Sequence, residues 1–69
     1  MQSELIIRRI ATRQFDVSDS ADRSFELNDI SESQLLGFLR RQRLVDATPE
    51  EVLAQFAEKR SIVHVAIER

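Results

Sequence analysis

The sequence contains no cysteine, tryptophan or tyrosine, and only one glycine, one proline and one histidine among its 69 residues. Without cysteine the chain forms neither a disulfide nor a thiolate metal site, and one histidine alone does not make a zinc site. A single glycine excludes the glycine-rich loops that hold phosphate groups. The sequence therefore predicts no metal, no cofactor and no small-molecule substrate, and we expect a protein that is not an enzyme.

Long apolar runs are also lacking. No stretch approaches the ~20 apolar residues that span a bilayer, and no charged and apolar leader precedes a small-residue cleavage site. The sequence therefore predicts a cytoplasmic protein with no membrane partner. Twelve acidic residues against ten basic ones give a net charge of −2, which is not the basic excess typical of nucleic-acid-binding domains.

A capping signal begins the first predicted helix. Ser31 followed three residues later by Gln34 is a capping box, in which each side chain bonds the other residue's main-chain N–H. It predicts a helix over about residues 32–43. The only glycine, Gly37, lies inside this helix, where it costs roughly 0.5–1 kcal/mol relative to alanine. The favoured interpretation is a tolerated glycine, and the alternative is close approach of another group at that point.

A second helix begins at a stronger signal. Thr48, Pro49 and Glu51 place a capping threonine, a proline at the first helical position and a glutamate at the third. They predict a helix over about residues 49–60. The connection from the first helix is short, which favours adjacent helices, and we expect Leu44 and Val45 to fill the corner between them.

Three segments are predicted to be strands, on the strength of their β-branched and aromatic residues: about 4–17, 23–28 and 61–68. The second segment is expected to pair as a hairpin with the end of the first. The predicted fold is a small single α+β domain over residues 1–69, in the order β-β-α-α-β, with a helical hairpin on a short antiparallel or mixed sheet.

The last predicted strand carries the first candidate site. A domain of this size buries only ~60% of the surface that its chain exposes when unfolded, so we expect reinforcement by a homodimer or by a protein partner. An apolar strand at a sheet edge is a hazard unless another strand covers it. The residues assigned to a dimer contact or an edge-strand contact alternate along this strand: Ile62, His64 and Ala66.

A second candidate surface lies at the end of the first helix. Arg40, Arg41 and Arg43 exceed what the helix dipole favours at a C terminus, so they are candidates for contacts with an acidic partner, with Phe38 as an apolar anchor. The favoured interpretation is nevertheless that they are solvated capping residues, and the binding patch is the alternative. His64 lacks a carboxylate and nucleophile in any recognised motif, so a structural or interfacial role is favoured over a catalytic one.

A helix, a short connection and a second helix also suggest a DNA-binding regulator of the helix-turn-helix or winged-helix type. In that geometry the N-terminal residues of the second helix contact the major groove. Here those residues include Glu50 and Glu51, whose charges repel phosphate. Nucleic acid is therefore the less favoured partner.

A third alternative comes from a family resemblance. The stretch from Asp19 to Asn28, a leucine-containing helix and the run Thr48 to Val52 together resemble the PqqD-like peptide-recognition domains. That resemblance covers roughly residues 15–60 and implies peptide binding by sheet extension. The connection between the helices is longer here than in the family, and a strand stands where the family has its third helix.

Small size, an apolar last strand and an arginine cluster together favour a non-enzymatic protein-interaction module. We expect a bacterial or phage-type regulator or inhibitor that binds a protein partner or itself through an edge strand or a helix face. The DNA-binding regulator and the peptide-binding domain are the alternatives.

Overall fold

One face of an antiparallel sheet carries two helices in the computed structural model, which describes residues 2–57 and 59–68. The elements, in chain order, are β1 (Gln2–Ala11), β2 (Gln14–Asp19), β3 (Glu26–Ser31), α1 (Glu32–Arg40), β4 (Arg43–Leu44), α2 (Pro49–Phe56) and β5 (Ile62–Glu68). The strands lie side by side in the order β3-β2-β1-β5-β4. This confirms a small α+β domain, but the predicted order β-β-α-α-β is wrong, because two strands were missed.

The predicted strand 4–17 is in fact a hairpin of β1 and β2. Its two arms pair from Leu5 opposite Asp19 to Ala11 opposite Gln14, with a register shift near the turn. The turn residues Thr12 and Arg13 are neither glycine nor asparagine, so they give no turn signal in the sequence. β2 also pairs with β3, as the predicted hairpin requires.

Both helices end earlier than predicted. α1 ends at Arg40, and Arg43–Leu44 forms the short strand β4 beside the end of β5. Helix α2 ends at Phe56, and Lys59 has a φ of 69°, a left-handed conformation that does not continue a helix. The predicted extension of α2 also crosses Glu58, which lies outside the described residues.

The two predicted capping boxes are both present. Ser31 Oγ accepts a hydrogen bond from Gln34 N at 3.2 Å, and Ser31 N donates to Gln34 Oε1 at 2.8 Å. Thr48 Oγ1 accepts from Glu51 N at 3.2 Å, and Thr48 N donates to Glu51 Oε1 at 3.3 Å. These bonds satisfy main-chain donors that the first turn of a helix leaves without partners.

The core lies between the helices and the sheet. Alternate residues of β1, β2 and β5 point into it, so the other face of the sheet stays uncovered, as is common for antiparallel sheets. The buried apolar side chains are Leu5, Ile7, Phe15, Val17, Leu35, Leu39, Val52, Phe56, Val63, Val65 and Ile67. In the described part of the chain, neither helix is long and apolar enough to cross a membrane.

Arg9 supplies a cation at the end of α2, whose last turn contains no basic residue. Its Nη1 atom donates a hydrogen bond to the carbonyl oxygen of Phe56 at 3.2 Å. A positive group at this position interacts favourably with the helix dipole. The contact therefore joins the end of β1 to the C terminus of α2.

Gly37 has no close neighbour that would exclude a side chain. A Cβ atom at this position would meet only Arg41 Nη2, at 3.7 Å, which is an ordinary contact distance. The structure therefore favours a tolerated glycine over close approach within the chain. We expect Gly37→Ala to raise the free energy of unfolding by about 0.5–1 kcal/mol, because alanine has less freedom to lose on folding.

Urea denaturation checks this value. Ala54→Gly, a substitution in the reverse direction at an exposed position inside α2, is the matched control and lowers stability by a similar amount. If the Gly37→Ala protein were less stable than the wild type, the conclusion that a methyl group fits at this position would be wrong.

Candidate functional site

The residues of β5 direct their main-chain groups alternately to its two sides. Arg9 N donates to Ser61 O at 2.8 Å, and the register continues with Val63 opposite Ile7 and Val65 opposite Leu5. In an antiparallel ladder that starts in this way, the odd-numbered residues of β5 exchange hydrogen bonds with β1. The residues whose N–H and C=O groups point away from β1 are therefore Ile62, His64 and Ala66.

β4 covers only one end of that outer side. It pairs Arg43 with Glu68 and Leu44 with Ile67, and Val45 N then donates to Ala66 O at 3.1 Å. The chain bends out of the sheet at Val45 and Asp46. Within residues 2–57 and 59–68, the outward N–H and C=O groups of Ile62 and His64 have no hydrogen-bond partner. We call this part of the outer side of β5, at Ile62 and His64, the open edge.

The opposite side of the sheet ends differently. β3 contains an irregularity opposite β2, between the positions of Phe15 and Val17. At that point Asp29 has a φ of 56°, and its N–H donates to Asp16 Oδ1 at 2.9 Å. A bulge twists an edge strand and protects it from pairing with another chain. β5 is regular through its whole length, so the open edge lacks this protection.

Exposed apolar side chains accompany the open edge. Three large apolar side chains of the described residues are exposed: Ile10 at 47%, Val45 at 38% and Ile62 at 44%. Ile62 belongs to the open edge, and Val45 lies at the point where β4 leaves it. The expectation that Val45 fills the corner between the helices is therefore wrong, whereas Leu44 is half-buried against the core.

A groove runs beside the open edge. Its volume is about 290 Å³, and its lining includes His64 and Ala66 of β5 together with Asp46, Ala47 and Gln55. The open edge is thus accessible, and its chemistry is that of two main-chain donors and two main-chain acceptors in extended geometry. Such groups recognise another extended polypeptide.

His64 lies on the uncovered face of the sheet. Its Nδ1 atom is 2.8 Å from Glu4 Oε1 of β1, and about half of each side chain is exposed (55% and 48%). Among the described residues, no three histidine, aspartate or glutamate side chains are grouped so as to hold a metal ion. The contact with Glu4 links β5 to β1 on the surface of the sheet.

The three predicted arginines have different neighbours. Arg40 Nη2 lies 3.4 Å from Glu50 Oε1 of α2. The Nε atom of Arg41 donates to the carbonyl oxygen of Gly37 at 3.1 Å, and Arg43 lies in β4. Arg40 and Arg43 line one groove beside β4, while Arg41 lines another, between α1 and β3. The structure therefore does not bring the three guanidinium groups to a single groove.

Phe38 is half-buried, and its ring stacks on Phe25 with centroids 5.7 Å apart. It borders the groove between α1 and β3, whose volume is about 470 Å³. Much of the ring surface thus packs against this chain.

The N terminus of α2, on which the DNA-binding alternative rests, carries Glu50 and Glu51. Glu51 belongs to the capping box, and Glu50 contacts Arg40. These contacts provide no cationic surface for phosphate at this helix terminus.

The loop between β2 and β3 contains Asp22, whose carboxyl group has a lowered pKa. Ser24 Oγ donates to Asp22 Oδ1 at 2.6 Å, and Ser24 N donates to the same oxygen at 3.0 Å. The hydroxyl bond, with the smaller effect of the main-chain bonds, lowers the pKa of Asp22 below its ordinary value of 3.8. Both bonds stabilise the carboxylate form.

We expect Ser24→Ala to raise the pKa of Asp22 toward 3.8, measured by an NMR pH titration of its carboxyl carbon. Because folding lowers this pKa, the stabilisation is present above 3.8 and is lost as the pH falls through the lowered value. Ser24→Ala therefore loses less stability on acidification. Ser33→Ala is the control, and an unchanged Asp22 titration in Ser24→Ala would show that the hydroxyl bond is not formed.

Comparison of the chain with protein-family models, with curated proteins and with solved structures finds no match.

Proposed function

We propose that the protein is a non-enzymatic interaction module that binds an extended segment of another polypeptide chain, either a protein partner or a second copy, by adding it to β5 at the open edge. One observation supports this proposal above the others. The outward main-chain groups of Ile62 and His64 lie beside no other strand of the described residues, although the strand is regular and apolar.

The energetics favour occupation of this edge. Each main-chain hydrogen bond contributes about 0.5–1.5 kcal/mol net, and two residues offer four such groups. Burial of the exposed part of Ile62 adds a hydrophobic contribution of about 25 cal/mol per Å² of apolar surface. A partner strand therefore gains both the hydrogen bonds and the hydrophobic contribution.

Two substitutions at Ile62 separate the main chain from the side chain. Ile62→Pro removes the outward N–H but no hydrogen bond to β1, and Ile62 is the first residue of β5, where proline is tolerated. Ile62→Ala shortens the side chain and keeps the N–H. Both variants lose most of the same side-chain surface, so a difference between them measures the contribution of the main-chain donor and the ring.

The test is affinity capture with three tagged baits: the wild type, Ile62→Ala and Ile62→Pro. The source is an extract of the native host that also contains the untagged protein. We expect at least one chain, a partner or the untagged copy, to be captured by the wild type, retained in part by Ile62→Ala and lost with Ile62→Pro. Equal capture by all three folded baits would overturn the proposed use of the open edge.

A further inference from the structure

We infer that the open edge is occupied by β5 of a second copy of this chain, in an antiparallel pair centred on Val63. The two five-stranded sheets then form one continuous sheet across a twofold axis. This inference rests on the proposed function and names the partner for it. Three features of the described residues support it independently: the hydrogen-bonding register, the exposed apolar side chains and the charges.

The register follows from which groups are available. A twofold axis requires each surface to be complementary to itself. Placing Ile62 opposite His64 of the second copy, and His64 opposite Ile62 of the second copy, forms about four hydrogen bonds and uses every group of the open edge.

Other centres fit less well. A pair centred on His64 would place Ile62 of the second copy opposite Ala66, whose carbonyl oxygen already accepts from Val45 N. A pair centred on Ile62 would need Arg60, which lies beyond the bend at Ser61 and outside β5.

The exposed apolar side chains meet in this arrangement. In this arrangement β4 and the second copy's β5 lie end to end along the outer side of β5. Val45 is then opposite Ala66, and Ile62 of the second copy is opposite His64. Two positions along a strand span about 7 Å and place side chains on the same face. Val45 and Ile62 of the second copy therefore come into contact, and the twofold axis makes this contact twice.

The charges at the junction also match. The chain bends away from β5 at Asp46, directly after Val45. In the second copy, Lys59 and Arg60 precede β5, so they come to the same place along the outer side of the first copy's β5. An acidic side chain therefore faces basic side chains at both ends of the pair. Exposed ion pairs add little stability, but opposite charges favour this partner over strands that carry acidic residues there.

Single cysteines test the register, since the protein has none of its own. Val63→Cys places two thiols at the axis, in a pair with Cα atoms about 4.5 Å apart, within the range for a disulfide. Under mild oxidation we expect Val63→Cys to cross-link more than tenfold faster than Ile62→Cys alone or His64→Cys alone. A mixture of Ile62→Cys with His64→Cys should form the mixed disulfide in preference to either homodimer.

The mixed pair keeps the test valid if Val63→Cys disturbs the core, because Ile62 and His64 are both exposed. Sedimentation equilibrium of the wild type should show a concentration-dependent dimer, and the Ile62→Pro control should remain monomeric. Faster homodimer cross-linking by Ile62→Cys or by His64→Cys would overturn the register. A wild-type monomer at every concentration would overturn the second copy as partner.

The two failures are distinguishable. If the purified protein is monomeric, but capture from the extract is still lost with Ile62→Pro, then the open edge binds a different chain and only the second copy is refuted. If capture is independent of Ile62→Pro, the proposed function itself is refuted.

Discussion

Phe56→Ala is expected to lower the free energy of unfolding by about 3–5 kcal/mol, the range for removing a buried aromatic side chain. Phe56 is only 3% exposed and packs edge-to-face on Phe15, with ring centroids 5.2 Å apart. The pair joins the end of α2 to β2, so the substitution opens a cavity between the helix layer and the sheet.

This loss is a large share of the stability of such a domain. At roughly 0.05–0.15 kcal/mol per residue, a chain of 69 residues has about 3–10 kcal/mol available. We therefore expect Phe56→Ala to be strongly destabilised at 25 °C, as measured by circular dichroism and guanidinium titration. Phe38→Ala, a half-buried ring in the stack with Phe25, is the matched control with the smaller loss. A decrease below about 1 kcal/mol for Phe56→Ala would mean that the layers are not joined at this pair.

Local signals made much of this fold predictable. Each capping box depends on residues within three positions of one another, so Ser31 and Thr48 give the helix starts without any knowledge of the tertiary structure. The alternation of Val63, Val65 and Ile67 likewise predicts β5, because side chains of a strand point to opposite faces in turn.

The missed elements depend on contacts between distant residues. β4 has only two residues and forms because Glu68 and Ile67 lie beside it, so nothing near Arg43 in the sequence predicts a strand. The turn at Thr12 and Arg13 forms without glycine because β1 and β2 pair from Leu5 opposite Asp19 to Ala11 opposite Gln14. Arg41 instead bonds the carbonyl oxygen of Gly37 and lines a different groove from Arg40 and Arg43, so the predicted arginine cluster is divided between two grooves.

The candidate edge was only partly predictable for the same reason. Propensity identified the strand and its alternate residues Ile62, His64 and Ala66. The strand order decides which of their main-chain groups lack a partner. The carbonyl oxygen of Ala66 has one, because it accepts a hydrogen bond from Val45 N. Val45, which is exposed, and the adjacent Asp46 were not predicted as parts of this surface.

Proline substitution along β5 gives the most direct test of the direction of its main-chain groups. We expect Val65→Pro to lower the free energy of unfolding by more than about 3 kcal/mol, because the ring removes a hydrogen bond to β1 inside the sheet. Val65 is buried, at 4% exposed, but valine and proline are similar in size. The loss of side-chain packing is therefore small compared with the loss of main-chain hydrogen bonding to β1.

Ile62→Pro is the matched control, and we expect it to lower stability by no more than about 1 kcal/mol, because only an outward N–H is removed. Urea denaturation measures both values, and amide NMR spectra show whether the sheet remains formed. The expected difference requires that the N–H of Val65 points toward β1 and that the N–H of Ile62 points away from β1. If both prolines unfold the chain equally, the N–H of Ile62 is already engaged within the fold, and no open edge exists for a second strand to join.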